Sequence, residues 1–299
     1  MTAPTPGTAP DASAGDDPVV TLTGVGRTFR RSGGQQMTAL QDIDLTIPRG
    51  SAFGVVGESG SGKTTLMRLI AGLDRATSGR VVVDGTDITE LPEKKLQFLR
   101  RTLQVVFQDP MGSLDPRMRI GRIVAEPLSV LRHSGIEHRV AEVLQQVGLE
   151  ADIVHRYPHQ FSGGQRQRIS IARAIAPDPA VLIADEAVSA LDVTVRAQIL
   201  DLIAEIAARR SLTLIFVSHD LSVIRRVCDH VAVLQSGRLV ETGTTAQVYT
   251  DPQQDYTRRL LAAVPRLASS LQMARSRAAA RKPTESPTLG TAGRNEDTE

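Results

Sequence analysis

Short apolar runs alternate with stretches whose apolar residues recur every third or fourth position. The runs VVTLTG (19–24), FGVVG (53–57), VVV (81–83), LQVVF (103–107), VLIAD (181–185), LTLIFVS (212–218) and VAVLQ (231–235) read as strands. Several are apolar at consecutive positions, the pattern of strands covered on both faces. Residues 64–73 read as a helix, with Leu66, Leu69, Ile70 and Leu73 on one face. Val140, Val143, Leu144 and Val147 repeat that spacing, as do Val195, Ile199, Leu202, Ile203 and Ile206. This alternation predicts an α/β domain around a mainly parallel sheet. Residues from about 91 to 165 hold one clear strand and are otherwise polar or helical, which predicts an inserted helical subdomain. No internal repeat is visible.

Composition narrows the picture. With 299 residues, 41% hydrophobic, the chain can build a sizeable core. Aromatics are only 3% and Trp is absent, so that core must be Val, Leu, Ile and Ala. A net charge of +2 argues for no nucleic-acid partner. Most basic residues are Arg; the lysines are Lys63, Lys94, Lys95 and Lys282, which draws attention to Lys63. Cys228 stands alone, which excludes an internal disulfide or a Cys-based metal cluster and fits a reducing compartment. Residues 1–17 lack a basic start and an apolar stretch, so they read as a disordered tail and not a signal peptide. Residues 266–299 read as a second solvated tail, and 18–265 as the working domain. Nowhere do about 18 apolar residues run together, so a role at a membrane requires another polypeptide to hold the chain there.

Gly57-Glu58-Ser59-Gly60-Ser61-Gly62-Lys63-Thr64 fits G-x-x-x-x-G-K-[ST] between a predicted strand and a predicted helix. Glycines let successive backbone N–H groups turn toward phosphate oxygens, and the helix adds its positive N-terminal end. Lys63 is suited to the β- and γ-phosphates and the Thr64 hydroxyl to Mg²⁺, with Thr65 beside it. A second apolar strand ends in Asp185-Glu186. Such an acid reaches the Mg²⁺, and Glu186, one residue later, is placed to accept a proton from attacking water. A helix-capping surface acid is the plainer alternative for this pair.

Phe161-Ser162-Gly163-Gly164-Gln165 opens another helical run. It is a second anion seat at a helix N-terminus, or a plain N-cap at Ser162; a cap alone does not need two glycines. This segment resembles the signature of ABC ATPases, with Phe161 for the usual Leu. The resemblance covers about residues 19–265. It implies a P-loop NTPase fold with a RecA-like core sheet, an antiparallel β subdomain and the helical insertion. It also implies that Gln108 is the Q-loop residue near Mg²⁺ and water, and that Ser189-Ala190-Leu191-Asp192 is the partner-facing D-loop. By the same resemblance His219 is the switch histidine and Phe29 stands where an adenine-stacking aromatic is expected. Singly, Gln108 and His219 also read as loop residues, and Phe29 as a core residue. Two departures are Ala187, where the family usually has Pro, and Ser51, where it often has Glu.

The segments Phe107-Gln108-Asp109-Pro110 with Ser113-Leu114-Asp115-Pro116-Arg117, Pro158-His159-Gln160-Phe161-Ser162, and Asp251-Pro252-Gln253-Gln254-Asp255-Tyr256-Thr257-Arg258-Arg259-Leu260-Leu261 are similar to the oligopeptide/dipeptide permease branch. That implies an ATP-hydrolysing subunit of an importer, at the cytoplasmic face of the cell membrane. The implied partners are a second ATPase subunit, two transmembrane permease subunits and, indirectly, an extracellular solute-binding protein. In this family the signature of one subunit closes over ATP held by the other. The implied catalytic set is Glu186, His219, Gln108 and Lys63; the implied metal ligands are Thr64, Gln108 and Asp185. Residues 57–65, Ser162, Gly163, Gly164, Gln165, Asp192 and Phe29 are the implied ATP contacts. An exporter ATPase, or a soluble ABC ATPase without transport, is the alternative.

Overall fold

The computed structural model describes residues 17–30 and 34–263. Apart from Asp17, both predicted tails lie outside them. The chain begins with two long strands, β1 (Pro18–Arg30) and β2 (Gln36–Pro48), paired antiparallel with Val20 opposite Ile47 and Leu22 opposite Leu45. In β2, Ile43, Leu45 and Ile47 are buried while Asp42, Asp44 and Thr46 are exposed. That is the period-two signal of a half-covered strand. It went unread in the sequence because charged residues break up its apolar positions.

There follow β3 (Ala52–Val56), α1 (Lys63–Ile70), β4 (Ser78–Val83), β5 (Thr86–Asp87), α2 (Gln97–Thr102) and β6 (Leu103–Val106). Four helices then intervene: α3 (Pro110–Ser113), α4 (Ile120–Val130), α5 (Ile136–Gln146) and α6 (Gly163–Ile175). The chain returns through β7 (Val181–Asp185), α7 (Val193–Arg210), β8 (Thr213–Ser218), α8 (Leu221–Val227), β9 (His230–Gln235) and β10 (Arg238–Thr244). It continues into α9 (Thr245–Thr250) and α10 (Asp255–Ala263).

These strands make two sheets. One is antiparallel, in the order β2-β1-β4-β5. The other runs β10-β9-β3-β8-β7-β6 and is parallel except for its edge strand β10. The five runs read as buried strands from residue 53 onward, other than VVV, form the parallel part, so the mainly parallel α/β expectation holds. Every residue of β7 and β8 is buried, which is why they read as unbroken apolar runs. Helix α1 lays Leu66, Leu69 and Ile70 against this core, each contributing roughly 1.5–3 kcal/mol on leaving water. Leu73 does not join them. The helix stops at Ile70, Gly72 takes φ +62°, and Leu73 is left 48% exposed. Strand β6 likewise ends one residue before Phe107, which is exposed.

Parallel strands deliver their C-terminal ends to one sheet edge. Here that edge gathers the residues after β3, β6, β7 and β8: the loop from Gly57, Gln108, Asp185 with Glu186, and His219.

Candidate active site

The loop between β3 and α1 curls tightly because side chains are excluded from it. Gly57 has φ +156°, and a Cβ there would lie 2.3 Å from the Leu234 carbonyl oxygen. Gly62 has φ +106°, and its Cβ would come within 2.8 Å of the Ala39 carbonyl oxygen. Backbone bonds stitch the loop down: Ser61 N–H to Glu58 O at 3.2 Å, and Gly237 N–H to Ser61 O at 2.9 Å. Glu58, Ser59, Gly60 and Thr64 remain exposed, while Thr65 is half-buried. Lys63 is 5% exposed, and its Nζ donates to the carbonyls of Gly57 at 2.7 Å and Glu58 at 2.9 Å. Burial lowers its pKa, while the carboxylates of Glu186 and Asp185 pull the other way. The Ser61 hydroxyl is buried without a hydrogen-bond partner.

Asp185 ends β7, buried, with Oδ1 lacking any hydrogen-bond partner. Burial pushes its pKa up, as does the charge of Glu186; Lys63 and Arg68 oppose both. The chain then turns sharply. Glu186 adopts φ +47°, a left-handed conformation that costs an L-residue roughly 1–2 kcal/mol. Its N–H is held by Val217 O at 2.9 Å, and its own carbonyl accepts from Ser189 N–H and Ser189 Oγ, each at 3.0 Å. These bonds define the turn with Ala187 at the following position. The Glu186 carboxylate meets His219, Oε1 to Nδ1, at 3.2 Å. Ser189 Oγ also accepts from Gln108 Nε2 at 3.2 Å, tying the end of β6 to the same turn.

Lys63, Asp185, Glu186, His219 and Gln108 are thus one connected cluster. Among the described residues, no hydrogen bond or ion pair links 162–165 to 57–64. Helix α1 packs on β2, β4, β7 and β8, whereas α6 packs on α3, α4, α5, α7 and β6. Ser162 caps α6, its Oγ accepting from Gln165 N–H at 3.3 Å while Gln165 Oε1 accepts from Ser162 N–H at 3.0 Å. Gly163 is exposed; at Gly164 a Cβ would lie 2.5 Å from Val195 Cγ1, so α7 packs too closely for a side chain. Asp192 caps α7, its Oδ1 accepting from Thr194 and Val195 N–H at 3.1 and 3.0 Å. Phe29 lies opposite Met37, with the Arg27 guanidinium 4.4 Å above its ring.

Two further residues make loop contacts that the sequence pattern does not give. Arg196 on α7 donates to the carbonyls of Ser189 at 3.4 Å and Leu191 at 3.2 Å, and lies 3.8 Å from Asp220, the neighbour of His219. Tyr256 on α10 accepts from Glu58 N–H at 3.2 Å. Both act on backbone groups distant in sequence or on a loop, which no spacing rule exposes.

The donor set suits Mg²⁺. Asp185 Oδ1 is a buried carboxylate oxygen awaiting a partner, and the Thr64 hydroxyl is exposed at the mouth of the loop. Among the described residues no three His, Cys, Asp or Glu group into a cage. A hard cation that takes few protein oxygens and keeps the rest for phosphate and water matches this arrangement.

A glycine loop between strand and helix, a lysine at its end, and an acid on the next strand but one define a phosphate-loop α/β domain. Residues 40–189 match the ABC transporter family. The dipeptide transport ATP-binding protein DppF of Haemophilus influenzae is 45% identical over 244 residues, covering 81% of this chain and 75% of that protein. A putative peptide import ATP-binding protein of Brucella ovis is 41% identical over 254 residues, 84% of this chain and 80% of the relative. Among solved structures, the dimeric cassette MJ0796 in a post-hydrolysis state bound to ADP and Pi superposes with TM-score 0.68 at 31% identity, over 76% of this chain and 98% of that one. The CbiO1 structure from Clostridium perfringens gives 0.71 at 27% identity, over 86% and 100%. The chain belongs to the ABC transporter family.

Proposed function

We propose that this chain is the ATP-hydrolysing subunit of an importer of peptides or a related small solute, working against two membrane-embedded permease subunits. The observation that carries the reading is the single cluster of Lys63, Asp185, Glu186 and His219 at the C-terminal edge of the parallel sheet. Relatives named for dipeptide and peptide import, at 41–45% identity, support the cargo class. We read 18–265 as the ATP-binding domain, with about 91–165 as its helical part.

The chemistry follows from the residues. Backbone N–H groups of the loop and the start of α1 take the phosphates of ATP. Lys63 gives up the Gly57 and Glu58 carbonyls for the β- and γ-phosphate oxygens. Thr64 and Asp185, with Gln108 through water, would hold Mg²⁺, which when bound neutralises charge building on the phosphates. Glu186 takes a proton from a water as its oxygen attacks the γ-phosphorus; the bond from that phosphorus to the bridging oxygen breaks, and ADP and phosphate result. His219, 3.2 Å from Glu186, orients that carboxylate and reaches the transferred phosphoryl. Positioning and electrostatics supply most of the acceleration.

The exposed seat Ser162-Gly163-Gly164-Gln165 serves the ATP of a second cassette, with the Asp192 turn beside it. Its separation from the phosphate loop within one chain favours that reading, as does the dimeric state of the solved cassette. For the permease contact, a groove of about 330 Å³ is bordered by Leu73, Phe107 and Val130, all large exposed apolar side chains. Among the described residues no helix is long and apolar enough to cross a membrane. Our reading assigns attachment at the cytoplasmic face to this groove and the permease.

Two substitutions test the reading. Lys63→Ala should weaken ATP binding by at least tenfold in an equilibrium titration. Glu186→Gln should bind ATP normally, release phosphate at least roughly a hundredfold more slowly, and accumulate as a nucleotide-bound pair of cassettes. Normal turnover by Glu186→Gln would overturn the assignment.

A further inference from the structure

The C-terminal segment around Tyr256 is similar to permease ATPases, yet nothing in the reaction above uses it. In the structure it reaches the phosphate loop. The Tyr256 hydroxyl accepts from the N–H of Glu58, and that N–H shares its peptide bond with the Gly57 carbonyl that Lys63 holds. One peptide unit is therefore pinned at both ends, by an ammonium on one side and a phenol on the other. Tyr256 is buried, as is Thr257 beside it. The turn leading into α10 is tied to the sheet by Glu241 of β10, whose two carboxylate oxygens accept from Gln253 N–H at 2.8 Å and Gln254 N–H at 3.2 Å. Gly237, in the turn before β10, donates to Ser61 O. Two C-terminal positions, 237 and 256, thus clamp a loop that lies some two hundred residues earlier.

This clamp has a chemical purpose. When Lys63 turns to a phosphate, the Gly57 and Glu58 carbonyls lose its two hydrogen bonds. The peptide they flank then has to keep its orientation, because its neighbours supply N–H groups to the same phosphates. A phenol acceptor holds the N–H side whatever Lys63 is doing. We infer that Tyr256 is a positioning residue of the phosphate loop, and that α10, anchored through Glu241, makes nucleotide affinity depend on how the C-terminal segment is seated. The inference rests on the phosphate-loop reading.

The test uses the full chain, titrated with MgADP, with amide hydrogen exchange followed over residues 55–60. Tyr256→Phe keeps the ring and removes the acceptor. MgADP affinity should fall roughly three- to tenfold, the range that one net hydrogen bond sustains, and the Glu58 amide should exchange faster. Glu241→Ala, which frees the turn, should shift both readouts in the same direction. Val248→Ala removes buried packing from α9 without touching the loop; it should lower Tm and leave both readouts alone. Wild-type affinity and exchange in Tyr256→Phe would overturn the inference. So would an affinity loss that Val248→Ala reproduces at equal loss of Tm. Lys63→Ala separates the two levels: if it binds MgADP like wild type, the phosphate-loop reading itself falls. If it does not bind and Tyr256→Phe is unchanged, only the role of Tyr256 falls.

Discussion

Asp185 holds an ionisable carboxylate at the buried end of β7, with one oxygen unpartnered and its pKa raised by burial and by Glu186. The folded chain therefore binds this proton more tightly than the unfolded chain does. Stability of the nucleotide-free protein falls as pH rises from the ordinary carboxylate range through the raised folded value. The ionised form is the costlier one for the nucleotide-free fold, because burial and the Glu186 charge both disfavour it. Asp185→Asn removes that cost. Its nucleotide-free Tm should rise above that of the unsubstituted protein, while Mg²⁺-dependent nucleotide binding drops at least tenfold. A thermal melt showing a lower Tm would contradict this account. Lys63, Asp185 and Glu186 were legible in the sequence because they sit at or just past a strand end or helix start inside a short local pattern, whereas Gln108 and His219 were named through the family resemblance. The loop contacts of Arg196 and Tyr256 were not legible, since the groups they hold are main-chain carbonyls and one main-chain N–H, which leave no mark on residue type.

Among the elements, α6 shows how one stretch answers to two demands. Ser162 and Gln165 close a reciprocal cap that any helix start could use. Gly164 is a different matter, since Val195 of α7 occupies the space its side chain would need. The second glycine of the signature therefore has a packing reason within this chain, alongside any contact with a second cassette's nucleotide. Gly164→Ala should destabilise the protein by roughly 1–3 kcal/mol, the usual cost of forcing atoms into a packed contact. Val195→Ala in the same chain should recover most of that loss in a denaturant titration. No recovery would place the need for glycine outside this helix pair. The strands of the parallel sheet were legible as apolar runs. The antiparallel pairing was only half so: β2 alternates Ile43, Leu45 and Ile47 with exposed polar residues, a weaker signal than an unbroken run.

For the molecule as a whole, the proposed function puts its two tasks on two surfaces, the sheet edge and the groove. The cluster of Lys63, Asp185, Glu186 and His219 sits at the C-terminal edge of the strands, and the apolar groove beside α4 carries Val130 at 71% exposure. Val130→Asp should leave ATP affinity within about twofold of wild type, because it touches no loop of the cluster. Placing a charge at an apolar contact should cost the permease complex at least 1.4 kcal/mol, about tenfold in affinity. Co-purification with the membrane subunits and a nucleotide titration on the same variant check both halves. Undiminished co-purification would remove this groove from the permease contact.

The position of β3 has a consequence for how the protein is made. It is the first strand of its sheet to leave the ribosome, yet its two neighbours are β8 and β9, with Gly54 in register with Phe216 and Val231. Translation must run past residue 235 before that strand is enclosed on both sides. Until then the glycine loop has no floor, since Leu234 and Gly237 have not arrived. Long-range pairing of this kind folds slowly, so both edges of β3 wait for their hydrogen-bonded neighbours through most of synthesis, although its side chains share a core with Leu40, Leu66 and Ile70, which are made early.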